Sequence, residues 1–466
     1  MVSLLTACIY KLIAFCPSDS NASVAMKDTK RTADGGCKRK RDDGSDVMAA
    51  SSDSSSANGY EIVSVKQWLT GWSRNVTDNS DEASDILPLV DLRSYEEFNT
   101  IHLQSSTNDE SPLIVNLPIE TLVSGERSCE LPPRHVEFAI LVPSKYAESF
   151  LLCNAECCIH KLFFASKSSA TQQSRKPWLV RQVILESEQL WNEKGVINNI
   201  KQGSAEVNSE SRNNATFFRP LPRLWKPDPL MSELLPLLKE WMKENCSPSR
   251  NEDNYQSAPC TVFDLGSGAG RDVCYLAEET KAFYYTSILQ QQSRYNHFPL
   301  HFVGIDNHKG SAKRCEPLWR NRGIQDITRS RLLNLNKLDL VSECFTNTMN
   351  DEKSKPTNVV CIYAIRYLNR KLLSCIANSA SNIESMDSKS SSLCLPIGTI
   401  VGISHFCKPT KTAEWNFDHP KVSNVLDRDE LRTLFDDKCW SILKDDICSD
   451  GDHGRTLIQF IARKIA

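Results

Sequence analysis

The stretch Val262 to Asp272 reads VFDLGSGAGRD, a short apolar run closed by Asp264 and followed by glycines at 266, 268 and 270. A glycine turn between a buried strand and a helix, here RDVCYLAEE, lets backbone approach a ligand, because no Cβ intrudes and positive φ is open. The flanking segments alternate in the same way. SELLPLLKEWMKE is an amphipathic helix ahead of the loop; after it come strand HFVGID, helix AKRCEPLWRNRG, strands RLLNLNKLDL and NVVCIYAI, then GTIVGISHF and a final TLIQFIAR. Alternating βα units predict a doubly wound, Rossmann-like α/β sheet of mostly parallel strands. Polar insertions near Thr280 to Asn296, Thr346 to Thr357 and Asn378 to Ser392 read as surface loops.

Two ligand classes use such a turn. Dinucleotide sites follow G-x-G-x-x-G and rest a pyrophosphate on the helix N-terminus. Here Arg271 takes the place of the third dinucleotide glycine, and the spacing is G-x-G-x-G with Asp264 two residues before it. That arrangement suits a ligand without phosphate: a carboxylate at Asp264 satisfies an ammonium group, and the glycines admit a methionine moiety. A nicotinamide oxidoreductase is disfavoured for the same reason. In FVGIDNH, at the end of the next strand, Asp306 is placed to accept hydrogen bonds from two ribose hydroxyls.

These residues resemble class I S-adenosylmethionine-dependent methyltransferases, with VFDLGSGAGRD similar to their first motif and GID to their second. The resemblance implies S-adenosyl-L-methionine as cofactor, held by Asp264, Gly266, Gly268, Gly270 and Asp306, with Asp339 of NKLDL beside the adenine. The gap from Asp264 to Asp306 is longer than usual, and the insertion after Thr280 accounts for it. GRDVCYLA and NFDHPKVSNVLDRDELRTLF are similar to the tellurite-resistance branch, and the likeness runs from about Phe217 to the end of the chain. Methyl transfer from a sulfonium is an in-line displacement, so the protein mainly supplies alignment. IYAIRYLNR lacks the N/D-P-P-Y motif of enzymes that methylate exocyclic amines, and Tyr363, Arg366 and His405 are the catalytic or acceptor-contacting candidates. Each reads equally well as pocket wall or fold support. The methyl acceptor is not legible: small molecule, metalloid, protein and RNA all stay open. So does a non-catalytic binding protein in which both domains have lost their chemistry.

Ahead of this domain, EIVSVKQWLTGW, ILPLVDLR, the short helix YEEFNTIH, VEFAILVP, a helix from Tyr146 to about His160 and WLVRQVI form a second alternating β/α unit. LVDLRSYEEFNTIH followed by NLPIETL resembles rhodanese-like domains; Asp91, Arg93, Glu97, Phe98 and His102 match, while Ile101 replaces the glycine before the histidine. The likeness covers residues 60–197. Active members place a cysteine at the end of the next strand, where this chain has Pro143, and proline has neither thiolate nor N–H. A catalytically silent domain that binds a protein partner or regulates is the expectation. Residues 198–216, including QGSAEVNSESRNN, read as a linker.

The 466 residues suit two domains with linkers. With 55 Lys and Arg against 58 Asp and Glu, the net charge of -3 gives neither global attraction to a polyanion nor strong repulsion from one, so a nucleic-acid partner is not implied. The 18 cysteines include no C-x-x-C pair, and Cys153, Cys157 and Cys158 near His160 read as core rather than as a metal site. No apolar run reaches the roughly 18 residues of a membrane span. MVSLLTACIYKLIAFC is apolar but lacks a basic start, so a targeting peptide competes with a true start at Met26. KRKR at Lys38 to Arg41 and the polar run to Gly59 read as a disordered tail, residues 1–59, of a cytoplasmic or nuclear protein.

Overall fold

The computed structural model describes residues 60–65, 67–68, 87–103, 113–154, 156–164, 177–187, 200–202, 218–245, 260–288, 298–337, 345, 358–379, 393–449 and 455–466. The tail expectations for residues 1–59, the polar insertion at 346–357 and Asp339 lie outside them.

Two larger sheets, one wholly parallel and one mixed, organise these residues. In the first, Glu61–Ile62 (β1), Leu89–Asp91 (β2), Ile114–Asn116 (β4), Glu137–Val142 (β5) and Leu179–Leu185 (β6) lie in the order β1-β6-β5-β2-β4. Each neighbouring pair is parallel. β5 reads EFAILV because both its faces are covered, as in a central parallel strand. Phe138, Ile140 and Val142 pack with Phe150 and Phe163, while Ala139 and Leu141 pack with Val65, Trp68 and Ile184. Helices Tyr95–Thr100 (α1), Ile119–Val123 (α2) and Ser144–Leu151 (α3) connect the strands. Ile101–Leu103 (β3) pairs antiparallel with Ile200–Gln202 (β7), so a strand occupies part of the stretch read as linker.

The second sheet has seven strands: Cys260–Leu265 (β8), Leu300–Asp306 (β9), Thr328–Leu332 (β10), Asn358–Ile365 (β11), Ile400–Phe406 (β12), Trp440–Ser449 (β13) and Thr456–Lys464 (β14). Their order is β10-β9-β8-β11-β12-β14-β13. The first five are parallel, and β14 runs antiparallel to both neighbours. The expected doubly wound sheet is therefore present, with a terminal hairpin where a dinucleotide fold carries a sixth parallel strand. One face packs on Pro229–Asn245 (α4), Arg271–Phe283 (α5) and Lys309–Asn321 (α6), through Leu234, Leu238, Val273 and Trp319. The other packs on Arg370–Ala377 (α7) and Glu430–Leu434 (α8), through Leu372, Ile376 and Leu431. Strand order reverses between β8 and β11, and the crevice beyond their carboxyl ends is where such sheets hold ligands.

Three local expectations need correction. Thr280 to Asn296 does not begin as a surface loop: α5 continues to Phe283, Thr280 is buried with its hydroxyl on the Leu276 carbonyl, and Tyr284 and Ile288 join the core. The helix drawn from Tyr146 to His160 stops at Leu151; the chain turns through Cys153 at φ 48° and resumes before the π-turn His160–Phe164. β13 went unread because its alternation is masked by Lys444, Asp445 and Asp446 on an edge strand. Among the described residues no helix is long and apolar enough to cross a membrane.

Candidate functional site

β8 ends at Leu265 and the chain enters the glycine turn. The Gly266 and Ser267 amides donate to the Ile305 carbonyl of β9, at 2.8 and 3.0 Å, and the Gly270 amide donates to the Ser267 carbonyl at 2.8 Å. All three glycines have positive φ, but their surroundings differ. A Cβ on Gly266 would lie 2.7 Å from Tyr367, and one on Gly270 would lie 2.8 Å from both Cys315 Sγ and Trp319. At Gly268 a Cβ would meet nothing within 4 Å. Gly266 and Gly270 are thus closed by packing, while Gly268, at φ 55°, faces open space. Trp319 Nε1 donates to the Gly270 carbonyl at 3.0 Å and the Cys315 thiol donates to the Gly268 carbonyl at 3.5 Å, so α6 holds the turn from outside.

Three carboxylates act on one another beside the turn. Asp306, the last residue of β9, accepts from the Gly268 amide at 2.9 Å and the His308 amide at 2.7 Å. Asp264 is 3% exposed; burial pushes its carboxyl well above the usual range, and the nearby charges of Asp272 and Asp306 push the same way. Asp272, in the first turn of α5, is pushed up to about 6 by burial, against the opposing pull of the Asp228 amide that donates to it at 3.0 Å. Sequence reasoning did not weigh Asp272; its only signal was an acid directly after the turn.

Tyr363 sits beside Asp264 in register on β11 and is fully buried. Burial first, and then the Asp264 charge, raise its hydroxyl well above the ordinary range. Arg366 follows the strand at φ 53°, a conformation that costs a non-glycine residue about 1–3 kcal/mol and concentrates at functional sites. Its amide donates to the Ser404 carbonyl at 2.7 Å, and its exposed guanidinium lies 5.7 Å from the Phe406 ring centre. The guanidinium charge also reaches Asp272. His405 stands apart. It is buried, its Nε2 is 2.8 Å from the Asn424 carbonyl, and burial lowers its pKa. Side chains alternate along a strand, and His405 shares a face with Ile403 and Val401, which pack on the α7 side; Tyr363 and Asp264 belong to the opposite face. Asp264, the glycine turn, Asp306, Tyr363 and Arg366 thus lie close to one another, while His405 faces the opposite side of the sheet, where the Arg366 charge also reaches it.

Arg271 explains the missing third dinucleotide glycine. Its guanidinium leaves the turn and donates 2.9 Å bonds to the carbonyls of Cys129 and Leu131, beside the short 3-10 turn Ser128–Glu130 that follows α2. Its hydrogen bonds are anchored there, although its charge still acts on the neighbouring Asp272. The turn's amides at Gly266, Ser267, Gly268 and Gly270 are taken by the chain's own acceptors, and what stays open is the side-chain face of Gly268 beside a group of acids, which disfavours a pyrophosphate and favours a cation.

At the end of β5 the geometry is different. Pro143 precedes α3, and the Ser144 amide donates to Glu186 Oε2 at 3.0 Å. Arg93 is fully buried, paired with Asp91 at 2.6 Å and donating to Glu186 Oε1 at 3.3 Å. Glu97 accepts from the Ser94 amide, while His102 is placed only as a backbone member of β3. Cys153 is exposed, Cys157 is buried, and His160 Nε2 lies 3.0 Å from the Phe150 carbonyl with its ring stacked on Phe150. Among the described residues no group of His, Cys, Asp and Glu is arranged to hold a metal.

No family model matches this chain, and no curated protein matches it. Among solved structures, TehB from Haemophilus influenzae is similar at 15% identity and TM-score 0.26, over 48% of this chain and 66% of that one. A SAM-dependent methyltransferase from Aquifex aeolicus is similar at 14% identity and TM-score 0.26, over 49% of this chain and 98% of that one. The N-terminal domain of EvdMO1 with SAH bound is similar at 10% identity and TM-score 0.29, over 53% and 88%.

Proposed function

We propose that residues from about 217 onward bind S-adenosyl-L-methionine and transfer its methyl group to an acceptor. The observation that carries this reading is Gly268, whose side-chain face is open space next to Asp306, while the guanidinium of Arg271, beside the turn, bonds to the carbonyls of Cys129 and Leu131. Two acids and a backbone without side chains suit a ligand that is cationic at one end and bears a diol at the other. When bound, that group supplies an electrophilic methyl on a sulfonium. Asp264 holds the ammonium end, and its ionisation becomes easier once a cation neutralises the cluster. Asp306 retains acceptor lone pairs beyond its two amide bonds and takes the ribose hydroxyls. On the family resemblance alone, Asp339 lies beside the adenine. Tyr363 walls the crevice beside Asp264, and Arg366, held at the mouth by a strained backbone, contacts the acceptor.

The N-terminal sheet we read as rhodanese-like and silent in sulfur transfer. Supporting this are the buried Asp91–Arg93 pair, Pro143 at the end of β5, and the Glu186 carboxylate on the amide that a persulfide would need.

Calorimetry on the full chain tests the first reading: S-adenosylmethionine and its demethylated product bind, and NAD and ATP do not bind comparably. A preference for NAD overturns it. Labelled methyl transfer to fractionated lysate then separates an enzyme from a protein that only binds the ligand.

A further inference from the structure

The segment Arg127 to Leu131 belongs in sequence to the first sheet, yet it grips both helices that frame the glycine turn. On α5, Arg271 adjoins Gly270 and donates to the Cys129 and Leu131 carbonyls. On α6, Asn321 Nδ2 donates to Glu130 Oε1 at 3.5 Å, and just beyond it Arg322 lies 3.6 Å from Glu130 Oε2. Glu130 is 1% exposed and is itself held by Arg127 through paired bonds of 2.7 and 2.8 Å. Arg322 continues to Glu278 of α5 at 3.4 Å, and Glu278, wholly buried, also accepts from Arg223 at 2.9 Å. One chain of buried charges therefore runs from the first sheet through α6 to α5. The same two helices carry Gly270, Cys315 and Trp319, which fix the turn.

Buried ion networks are poor contributors to stability unless complete, and breaking one partner leaves an uncompensated charge. A surface linkage between independent domains would have no need of one. From this we propose that Arg271 and Glu130 are positioning residues for the glycine turn, so that the first sheet is a structural wall of the ligand site rather than a tethered module. The inference rests on the methyl-transfer reading only for the identity of the ligand. Its geometry requires that removing the brace loosens the start of α5 and with it the amides of Gly266 to Gly270.

The test uses the full chain with Arg271→Leu, Arg271→Lys, Glu130→Gln and, as a remote control, Arg181→Ala at the exposed Arg181–Glu137 pair. Hydrogen exchange of residues 264–272 without ligand is the first readout, and calorimetric affinity for S-adenosylmethionine the second. Arg271→Leu and Glu130→Gln should speed exchange in the turn while β5 and β12 stay protected. Affinity should fall roughly 5- to 150-fold, the span of ordinary coupling between sites. Arg271→Lys, with one donor direction in place of a fork, should fall between wild type and Arg271→Leu, and Arg181→Ala should match wild type. Unchanged exchange in the turn of Arg271→Leu overturns the proposal. Faster exchange together with a wild type that ignores S-adenosylmethionine upholds the brace and sinks the ligand assignment instead. If Arg271→Leu unfolds, the milder Glu130→Gln decides by the same exchange measurement.

Discussion

β5 and β8 are both interior parallel strands, and each delivers the chain into a helix at its carboxyl end, yet the two turns are finished in opposite ways. After β5 the first amide of α3 is occupied by Glu186, and the nearby cation, Arg93, is bound to Asp91 and Glu186. After β8 the turn is left open at Gly268, its cation bonded to another part of the molecule and the acids Asp264, Asp272 and Asp306 gathered beside it. A strand-helix turn is intrinsically an anion site, because amides and helix dipole point outward. In both turns a carboxylate of the chain takes a backbone amide, but only the second keeps an open face at Gly268 and gathers two further acids, Asp264 and Asp272, which make it a place for a cation. The same backbone topology therefore says little, and the charges placed around it say most.

The sharpest break of that contrast is Gly268→Val. A β-branched side chain at φ 55° costs about 1–2 kcal/mol of backbone strain and fills the only open side of the turn. Binding of S-adenosylmethionine should weaken by roughly a hundredfold or more, equivalent to about 2.7 kcal/mol. Calorimetry showing affinity within threefold of wild type would place the ligand elsewhere.

Asp306→Ala should cost less, about 1–3 kcal/mol of binding free energy, the usual loss when a charged acceptor of hydrogen bonds is removed. The Gly268 and His308 amides also lose their acceptor, so exchange at those two positions should rise with it. An unchanged affinity for both ligand and demethylated product would detach Asp306 from the site.

The strand-turn-helix from Cys260 to Phe283 was legible because its signals are local: an apolar run, three glycines, an amphipathic helix. The doubly wound sheet followed from repeating that pattern. What sequence could not show was separated along the chain. Arg271 looked like a missing glycine, and its partners at Cys129 and Leu131 lie 140 residues away or more. His405 and Tyr363 looked equivalent at two strand ends, and only strand register puts them on opposite faces. Glu186 is an ordinary acid after an ordinary strand until β6 brings it alongside β5 and α3.

A smaller effect tests the acid ring through pH. Asp272 titrates near 6 in the folded chain, above its usual 3.8. A carboxyl with a raised folded pKa binds its proton more tightly folded than unfolded, so its contribution to stability is complete below the unfolded value and is lost as pH rises through about 6. Relative to Asp272→Asn, the wild-type melting temperature should fall between pH 4 and pH 6 and then level off. Affinity for a cationic ligand runs the other way, rising by about tenfold at most per pH unit as the carboxylate ionises. Affinity that falls over this window would mean the ligand is an anion, and the comparison with β5 would collapse.

The last prediction concerns the filled turn, where the expected change is none. Pro143→Cys places a thiol at the end of β5, yet the full chain should still form no thiocyanate from thiosulfate and cyanide. A persulfide at that position needs the amide of Ser144, and Glu186 already holds it at 3.0 Å. Two anions cannot share one donor in a site this enclosed, and Arg93 cannot offset both, since its guanidinium is fully buried against Asp91 and Glu186. Cys153 is poorly placed to take over: it lies past the end of α3, whose 8 residues separate it from the turn by about 12 Å at 1.5 Å per residue. Adding Glu186→Gln to Pro143→Cys frees the amide of its charged occupant and leaves Arg93 with a charge to offer, so any sulfurtransferase activity should emerge only in the double variant. Activity in Pro143→Cys alone would show that Glu186 does not block the turn, and activity in the wild type, lost in Cys153→Ser, would show that the first sheet has kept its chemistry by another route.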